Sequence, residues 1–293
     1  MVLFCKQMRE VKIIECPRDA MQGIESFIET NDKVKYINQL LKVGFDTIDF
    51  GSFVSAKAIP QMRDTAEVLA GLDLTHSSST LLAIVANTRG AEEACKHQAI
   101  SYLGFPLSIS ETFQQRNTNK SITEALETLM EIQQLCSANN KEQVVYISMG
   151  FGNPYNDPYD VEVVGKFVDI LHTLGVRIIS LADTIGVSTP EQITYLFTTL
   201  SKQFPSVELG AHLHSNPRSA REKIEAAFKA GCKRFDGAIK GFGGCPMAKD
   251  ELVGNLATET ILTYLNEHTA VEGIQAEAFA TAMVMADEIF PKH

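Results

Sequence analysis

The tightest constraint on the fold of this chain is a recurrence. Short β-branched or apolar runs return eight times along its 293 residues, and stretches with helical spacing separate them. The runs lie at 11–15, 47–50, 81–86, within 101–110, and at 143–148, 176–181, 207–216 and 234–236. Leu81-Leu82-Ala83-Ile84-Val85-Ala86 contains no polar residue, the expected look of a parallel strand covered on both faces. Val34, Ile37, Leu40 and Leu41 keep helical spacing behind a cap at Asn31 or Asp32, and Gly44 ends that helix. Further helices are predicted over 59–72, 91–97, 121–138, 159–174, 189–200, 217–230, 252–267 and 276–290, with Pro60 in the first turn of its helix. Ser121 and Glu124 have capping-box spacing, and Gly175 and Gly231 close two others. Eight strands alternating with helices predict an α/β fold, a (β/α)8 TIM barrel, as a single domain over 1–293. A doubly wound sheet is the second reading. Residues 272–293 are expected to form a C-terminal helical extension.

Composition removes several function classes. The formal net charge is -10, and no strongly basic stretch stands out, so nucleic acid has no electrostatic footprint here. No apolar run approaches membrane-spanning length. The first ten residues lack the apolar core of a signal peptide. Cys5, Cys16, Cys95, Cys136, Cys232 and Cys245 are scattered without C-x-x-C spacing, which argues against a disulfide framework or a zinc cage. These features predict a soluble protein of a reducing cytoplasm, with no nucleic-acid or membrane partner. The terminal helix over 276–290, rich in Ala, Met and Phe, can pack on the barrel or on a second copy, and a homodimer is the expected assembly.

A barrel of this kind carries its chemistry where strands end and loops begin. His212 and His214 stand two apart at the end of the seventh strand, so both imidazoles face one side. Two imidazoles are half of a metal shell. Asp19 after strand one is a third candidate ligand, and Asn255, placed at the start of the last barrel helix, can add an amide oxygen. The set suits Mg²⁺ or Mn²⁺ and is open to Zn²⁺. Arg18 beside Asp19 is a cation that stays charged at any working pH and can stabilise a developing enolate. Asp49 in strand two and Asp183 after strand six are acidic residues at the same end. Gly241-Phe242-Gly243-Gly244-Cys245-Pro246 follows strand eight; residues 241–250 read as a mobile active-site loop that can carry the Cys245 thiol as a proton donor or acceptor.

These residues resemble the 3-hydroxy-3-methylglutaryl-CoA lyase family. The likeness is carried by Arg18-Asp19 with Gln22, by Ser52-Phe53-Val54-Ser55 with Pro60-Gln61-Met62, and by 180–187. Gly243-Gly244-Cys245-Pro246 and 254–259 complete it, so it runs in order from strand one to the last barrel helix. The resemblance implies a divalent-metal-dependent retro-Claisen cleavage of 3-hydroxy-3-methylglutaryl-CoA to acetyl-CoA and acetoacetate. It implies Asp19, His212, His214 and Asn255 as metal ligands. The catalytic candidates it implies are Arg18, Cys245, Asp183, Asp49 and His212. Asn117, Asn119 and Ser121, behind Ser110-Glu111-Thr112-Phe113, are similar to the segment that lines the family's CoA entrance.

The chain departs from the family pattern at its mouth. The family's glycines before and after Pro-Arg-Asp are missing from Glu15-Cys16-Pro17-Arg18-Asp19-Ala20. Asp49 stands where glutamate is usual, Gly152-Asn153-Pro154 replaces Gly-Cys-Pro, and Ser215-Asn216 replaces Asp-Thr. These positions keep two other readings open: an aldolase or condensing enzyme of the same barrel group acting on a keto acid, and a barrel that binds metal and ligand without turnover.

Overall fold

The computed structural model describes residues 10–244 and 253–290. Eight parallel strands close on themselves: β1 (Lys12–Glu15), β2 (Thr47–Ser52), β3 (Thr80–Ile84), β4 (Ile100–Ser108), β5 (Glu142–Ser148), β6 (Ile178–Asp183), β7 (Glu208–Ser215) and β8 (Arg234–Gly237). Each pairs with its sequence neighbour, and β8 pairs with β1 to seal the ring, Lys12 opposite Arg234 and Glu15 opposite Gly237. This is the predicted (β/α)8 barrel. A ninth strand, β9 (Gly254–Asn255), runs antiparallel to the end of β7 and sets Asn255 opposite His214.

Eleven helices connect the strands among the described residues: α1 (Pro17–Gln22), α2 (Thr30–Val43), α3 (Thr65–Ala70), α4 (Thr88–Cys95), α5 (Glu111–Thr118), α6 (Ile122–Ala138), α7 (Val161–Thr173), α8 (Pro190–Gln203), α9 (Ala220–Lys229), α10 (Thr258–His268) and α11 (Ala276–Ile289). The Ser121/Glu124 capping box is formed at the start of α6, and Thr189/Gln192 makes a second at α8. Gly44 takes a left-handed φ of 85° after α2, as a helix-ending glycine does.

Two predicted helices change. The stretch 59–72 breaks into a 3-10 turn at Pro60–Met62 and the short α3. Its hinge is pinned by side chains: the single Thr65 hydroxyl hydrogen is shared between the Met62 and Ser52 carbonyls, 2.8 and 2.9 Å from Oγ1, and Asp64 accepts from Lys33 Nζ at 2.7 Å and Thr30 Oγ1 at 2.8 Å. The last barrel helix begins at Thr258, not 252, because β9 takes up Gly254 and Asn255. Asn255 is therefore a strand residue, and α5 appears where no helix was expected.

The main core lies between strands and helices, from Ile13, Phe105, Ile147 and Leu181 to Leu40, Leu129, Val168 and Phe197. Inside the ring the apolar filling is small: Leu82, Ile84, Val144, Tyr146 and Ile178. The rest of the interior is polar, with Arg234, Ser180 and Asp236 all buried. α11 packs along α2, with Phe279 edge-on to Phe45 at 6.3 Å and Phe290 edge-on to Tyr36 at 5.7 Å. Phe290 also stacks on Phe242 at 4.6 Å, so this helix braces the segment that follows β8. None of the described helices is long and apolar enough to cross a membrane.

Candidate active site

β7 presents His212 and His214 at its C-terminal end, and their ring centroids are 5.3 Å apart. Their hydrogen bonds fix which nitrogen each ring offers. His214 Nδ1 lies 3.1 Å from the Thr184 carbonyl, which can only accept, so Nδ1 carries the hydrogen. Its Nε2 is then a bare lone pair, buried and without a hydrogen-bond partner among the described residues. His212 Nδ1 lies 3.1 Å from Asp236 Oδ2, which likewise assigns it the hydrogen and leaves Nε2 to face the site.

Asp19 completes the group. Its carboxylate and the two imidazoles offer ligand atoms all within 4.8 Å of one another. α1 starts directly after β1, with Pro17 in its first turn, and so swings Arg18 and Asp19 over the barrel mouth. Asp19 Oδ1 accepts from Arg18 Nη1 and Gln22 Nε2, both at 2.7 Å, and Oδ2 accepts from Asn255 Nδ2 at 2.7 Å. The second Asn255 amide hydrogen goes to the Phe242 carbonyl at 2.9 Å. That bond sets the amide's orientation, with its nitrogen toward Asp19. Two imidazole nitrogens and a carboxylate fit a divalent ion of the Mg²⁺, Mn²⁺ or Zn²⁺ kind.

The electrostatics suit such an ion. Burial pushes the Asp19 carboxyl up, but Arg18 and the two histidines outweigh it and hold it at about 2, so the carboxylate is ionised. Burial and the neighbouring His212 pull His214 down to about 4, which keeps its ring neutral. Burial also pulls His212 down, but the hydrogen bond and charge of Asp236 carry it above the ordinary value. A cation would displace that proton.

Arg18 is clamped beside this group. Its Nε lies 3.1 and 3.3 Å from the Asp49 oxygens, Nη2 donates to Asp49 Oδ2, and Nη1 also reaches Gln22 Oε1 at 3.0 Å. Burial drives the Asp49 carboxyl up to about 6 despite Arg18. Gly243 touches the same cluster. A Cβ there would lie 2.7 Å from the Asp19 carbonyl and 2.8 Å from Asn255 Nδ2, and its φ is +88°. At this position the glycine serves close approach, a reason different from the mobility expected of the loop. Cys245 and residues 246–252 lie outside the described residues.

Asp183 does not behave as expected of an acid or base at the reaction centre. Its carboxylate accepts from Val187 N at 2.8 Å, Ser188 N, Ser188 Oγ and Lys223 Nζ at 2.8 Å, which leaves it no free edge. It folds the loop after β6 and thereby aims the neighbouring Thr184 carbonyl at His214. Asn117 and Asn119 are exposed around the end of α5, and the Ser121 hydroxyl is used to cap α6. They share the barrel's C-terminal face with the histidines, because α5 follows β4, but they do not touch the Asp19 cluster.

The family departures have local tasks. Asn153 Oδ1 accepts from Tyr155 N and Asp157 N, and Asp157 in turn holds Ser110 Oγ and Thr112 N at the start of α5. Asn216 Oδ1 accepts from Arg218 N and Ser219 N ahead of α9. The buried Cys16 thiol donates to the Ile14 carbonyl at 3.7 Å, and burial followed by Asp236 and Asp49 pushes it well up.

Asp236 and Lys223 were not singled out from sequence. Arg234 and Asp236 are two apart on β8, so the alternation that found the histidines was also available for them. Lys223 sits at apolar-face spacing between Ala220 and Ala227, a lysine where burial is expected.

The HMGL-like family profile matches residues 10–285. The chain is 34% identical over 272 residues to a hydroxymethylglutaryl-CoA lyase of Bacillus subtilis, covering 93% of this chain and 90% of that one. It is 33% identical to a 3-hydroxy-3-isohexenylglutaryl-CoA/hydroxymethylglutaryl-CoA lyase of Pseudomonas aeruginosa, covering 94% and 91%. Among solved structures, the Bacillus subtilis HMG-CoA lyase superposes with a TM-score of 0.89 at 33% identity, covering 96% of this chain and 94% of that one. An Acinetobacter baumannii HMG-CoA lyase in complex with coenzyme A and 3-methylmalate gives 0.87 at 28%, covering 95% and 90%. With its barrel, its Asp19/His212/His214 cluster and these relatives, the chain belongs to the HMGL-like family.

Proposed function

We propose that this protein is a metal-dependent carbon–carbon lyase that cleaves 3-hydroxy-3-methylglutaryl-CoA, or a close hydroxyacyl-CoA, to acetyl-CoA and the matching keto acid, acetoacetate in the first case. The reading is carried by one observation. In a chain of this family, Asp19 and two histidines with fixed tautomers converge on one point beside a clamped arginine.

The reaction asks four things of the chain. A proton leaves the tertiary hydroxyl, the C–C pair moves toward the thioester carbonyl, a keto acid forms, and a proton returns to the enolate carbon. A divalent ion bound at the site would polarise the substrate's hydroxyl and carboxylate oxygens. Asp19, His212, His214 and the Asn255 amide oxygen would hold it. Arg18 supplies a fixed positive charge for the enolate oxygen, and its charge state does not vary with pH. Asp49 and Gln22 aim that guanidinium, so no reorganisation is needed as charge develops. Cys245, outside the described residues, is proposed to return the proton to carbon. Asp183 is proposed to position the loop after β6. Asn117, Asn119 and Ser121 are proposed to lie along the CoA entrance; the related lyase solved with coenzyme A supports a CoA thioester as substrate class. Mg²⁺ or Mn²⁺, a cytoplasmic location and a symmetric dimer belong to the same proposal.

The test is a metal-supplemented assay. Purified protein with Mn²⁺ or Mg²⁺ should release acetyl-CoA from 3-hydroxy-3-methylglutaryl-CoA. No release with the metal bound would remove that substrate. A wider acyl range has its own support, since the Pseudomonas aeruginosa relative is named for two hydroxyacyl-CoA substrates. A panel of longer 3-hydroxyacyl-CoA thioesters and keto acids separates these readings.

A further inference from the structure

We propose that Lys223 is a positioning residue for the metal site: its buried ammonium holds His214 from two directions and sets where the imidazole's Nε2 points. The inference rests on the reading that Asp19, His212 and His214 bind a divalent cation.

Lys223 lies on α9 and is 2% exposed. An ammonium has three hydrogens, and three acceptors surround this one. They are Asp183 Oδ2 at 2.8 Å, the Gly186 carbonyl at 3.0 Å and the His214 carbonyl at 2.9 Å. The acceptors come from the end of β6, from the loop that follows it, and from the ligand residue itself. One grip on His214 is direct, at its main chain. The other is indirect. Lys223 neutralises Asp183, whose oxygens gather Val187 N and Ser188 N and so fold the 183–188 loop. Thr184 in that loop accepts from His214 Nδ1, which holds the ring's tautomer and plane.

Stability alone does not call for a lysine here. A buried ion pair is often matched or bettered by apolar side chains of similar volume. What apolar side chains cannot reproduce is a single point that bonds the ligand's carbonyl and the loop that orients its ring. Groups of this kind behind a metal-binding histidine typically change metal affinity by about 10- to 100-fold.

Mn²⁺ titration of the full chain, with free ion counted by electron paramagnetic resonance, tests the assignment without relying on turnover. The variants are Lys223→Arg, which keeps the charge, and Asp183→Asn with Lys223→Met, which removes both charges together and strands neither. Both are expected to melt cooperatively without metal and to bind Mn²⁺ about 10- to 100-fold more weakly than wild type. Wild-type affinity in either folded variant overturns the proposal. So does loss of the cooperative melt in both, which would make Lys223 a folding residue only. His214→Ala is the control for the site. If wild type binds no Mn²⁺, or His214→Ala binds as wild type does, the metal reading itself fails, a result distinct from normal binding by the Lys223 variants alone.

Discussion

Two guanidiniums are buried at opposite ends of this barrel, and their surroundings differ. Arg18, at the C-terminal end of the strands, is 7% exposed and bonds Asp49, Asp19 and Gln22. Arg234, at the N-terminal end, is fully buried, reaches Glu208 at 3.3 Å, and lies over the Tyr102 ring at 5.9 Å. Near Arg234, Lys12 and Glu208 form a second pair across β1 and β7, while Arg234 Nε and Nη2 are buried without a hydrogen-bond partner among the described residues. At Arg18 the carboxylate that takes the arginine also belongs to a cluster with two imidazole nitrogens. Burial of a charge is thus not by itself a sign of chemistry. What separates the two ends is whether the partners converge on a point that substrate and cation can share.

The comparison breaks most visibly at Arg18. Arg18→Gln removes the cation from the C-terminal end and leaves Asp19 and Asn255 in place. If the guanidinium stabilises the enolate, kcat/KM should fall by about 10²–10³, roughly 3–4 kcal/mol, with most of the loss in kcat. Steady-state kinetics at saturating Mn²⁺ would read it. A loss under about threefold would make Arg18 a structural cation of the Arg234 kind.

Glu15 tests the same end through stability. It terminates β1 just below Arg18, is 1% exposed, and takes Ile239 N at 2.9 Å and Thr258 Oγ1 at 2.6 Å. Burial raises its carboxyl to about 8, although those two bonds lower it. The folded value lies above the unfolded one. Glu15's contribution to stability is therefore complete below about pH 4.5 and is lost as pH rises toward 8. Glu15→Gln has no proton to lose. Between those pH values it should gain on wild type by up to about 1.4 kcal/mol per pH unit. Urea unfolding at pH 5, 6, 7 and 8 measures the difference. A constant gap between the two proteins would mean that Glu15 is ionised in the fold.

Much of this was legible in the sequence because it is local. The eight apolar runs gave the ring, and His212 and His214 gave a common face, since strand alternation is a rule of adjacent residues. Asn255 was identified as a ligand candidate but assigned to the wrong element, because a two-residue strand has no period to detect. The break at Arg63 and Asp64 was also hidden: it depends on Thr65 and Asp64 bonding to Ser52, Thr30 and Lys33 from other elements. Asp183 was readable as an acid at a strand end. That its carboxylate is fully engaged depends on Lys223, forty residues away on α9. Residue type and spacing picked out Asp19, His212 and His214, which the fold brings together, whereas tasks set by contacts between distant elements needed the fold.

Lys12→Ala should have the smallest effect, and it tests whether the two ends are independent. The Lys12 and Glu208 side chains are 29% and 28% exposed, so water screens the pair, and Glu208 keeps Arg234 when the lysine is removed. The loss of stability should stay within about 1 kcal/mol. kcat/KM and Mn²⁺ affinity should not change. The demand is strict because β1 has only four residues, a rise of roughly 10 Å from Lys12 to Glu15, with Arg18 on the helix that follows. A tenfold fall in kcat/KM with an unaltered melt would mean that strain at the barrel's N-terminal end reaches the arginine along this strand. The contrast between the two guanidiniums would then describe one coupled system in place of two separate ones.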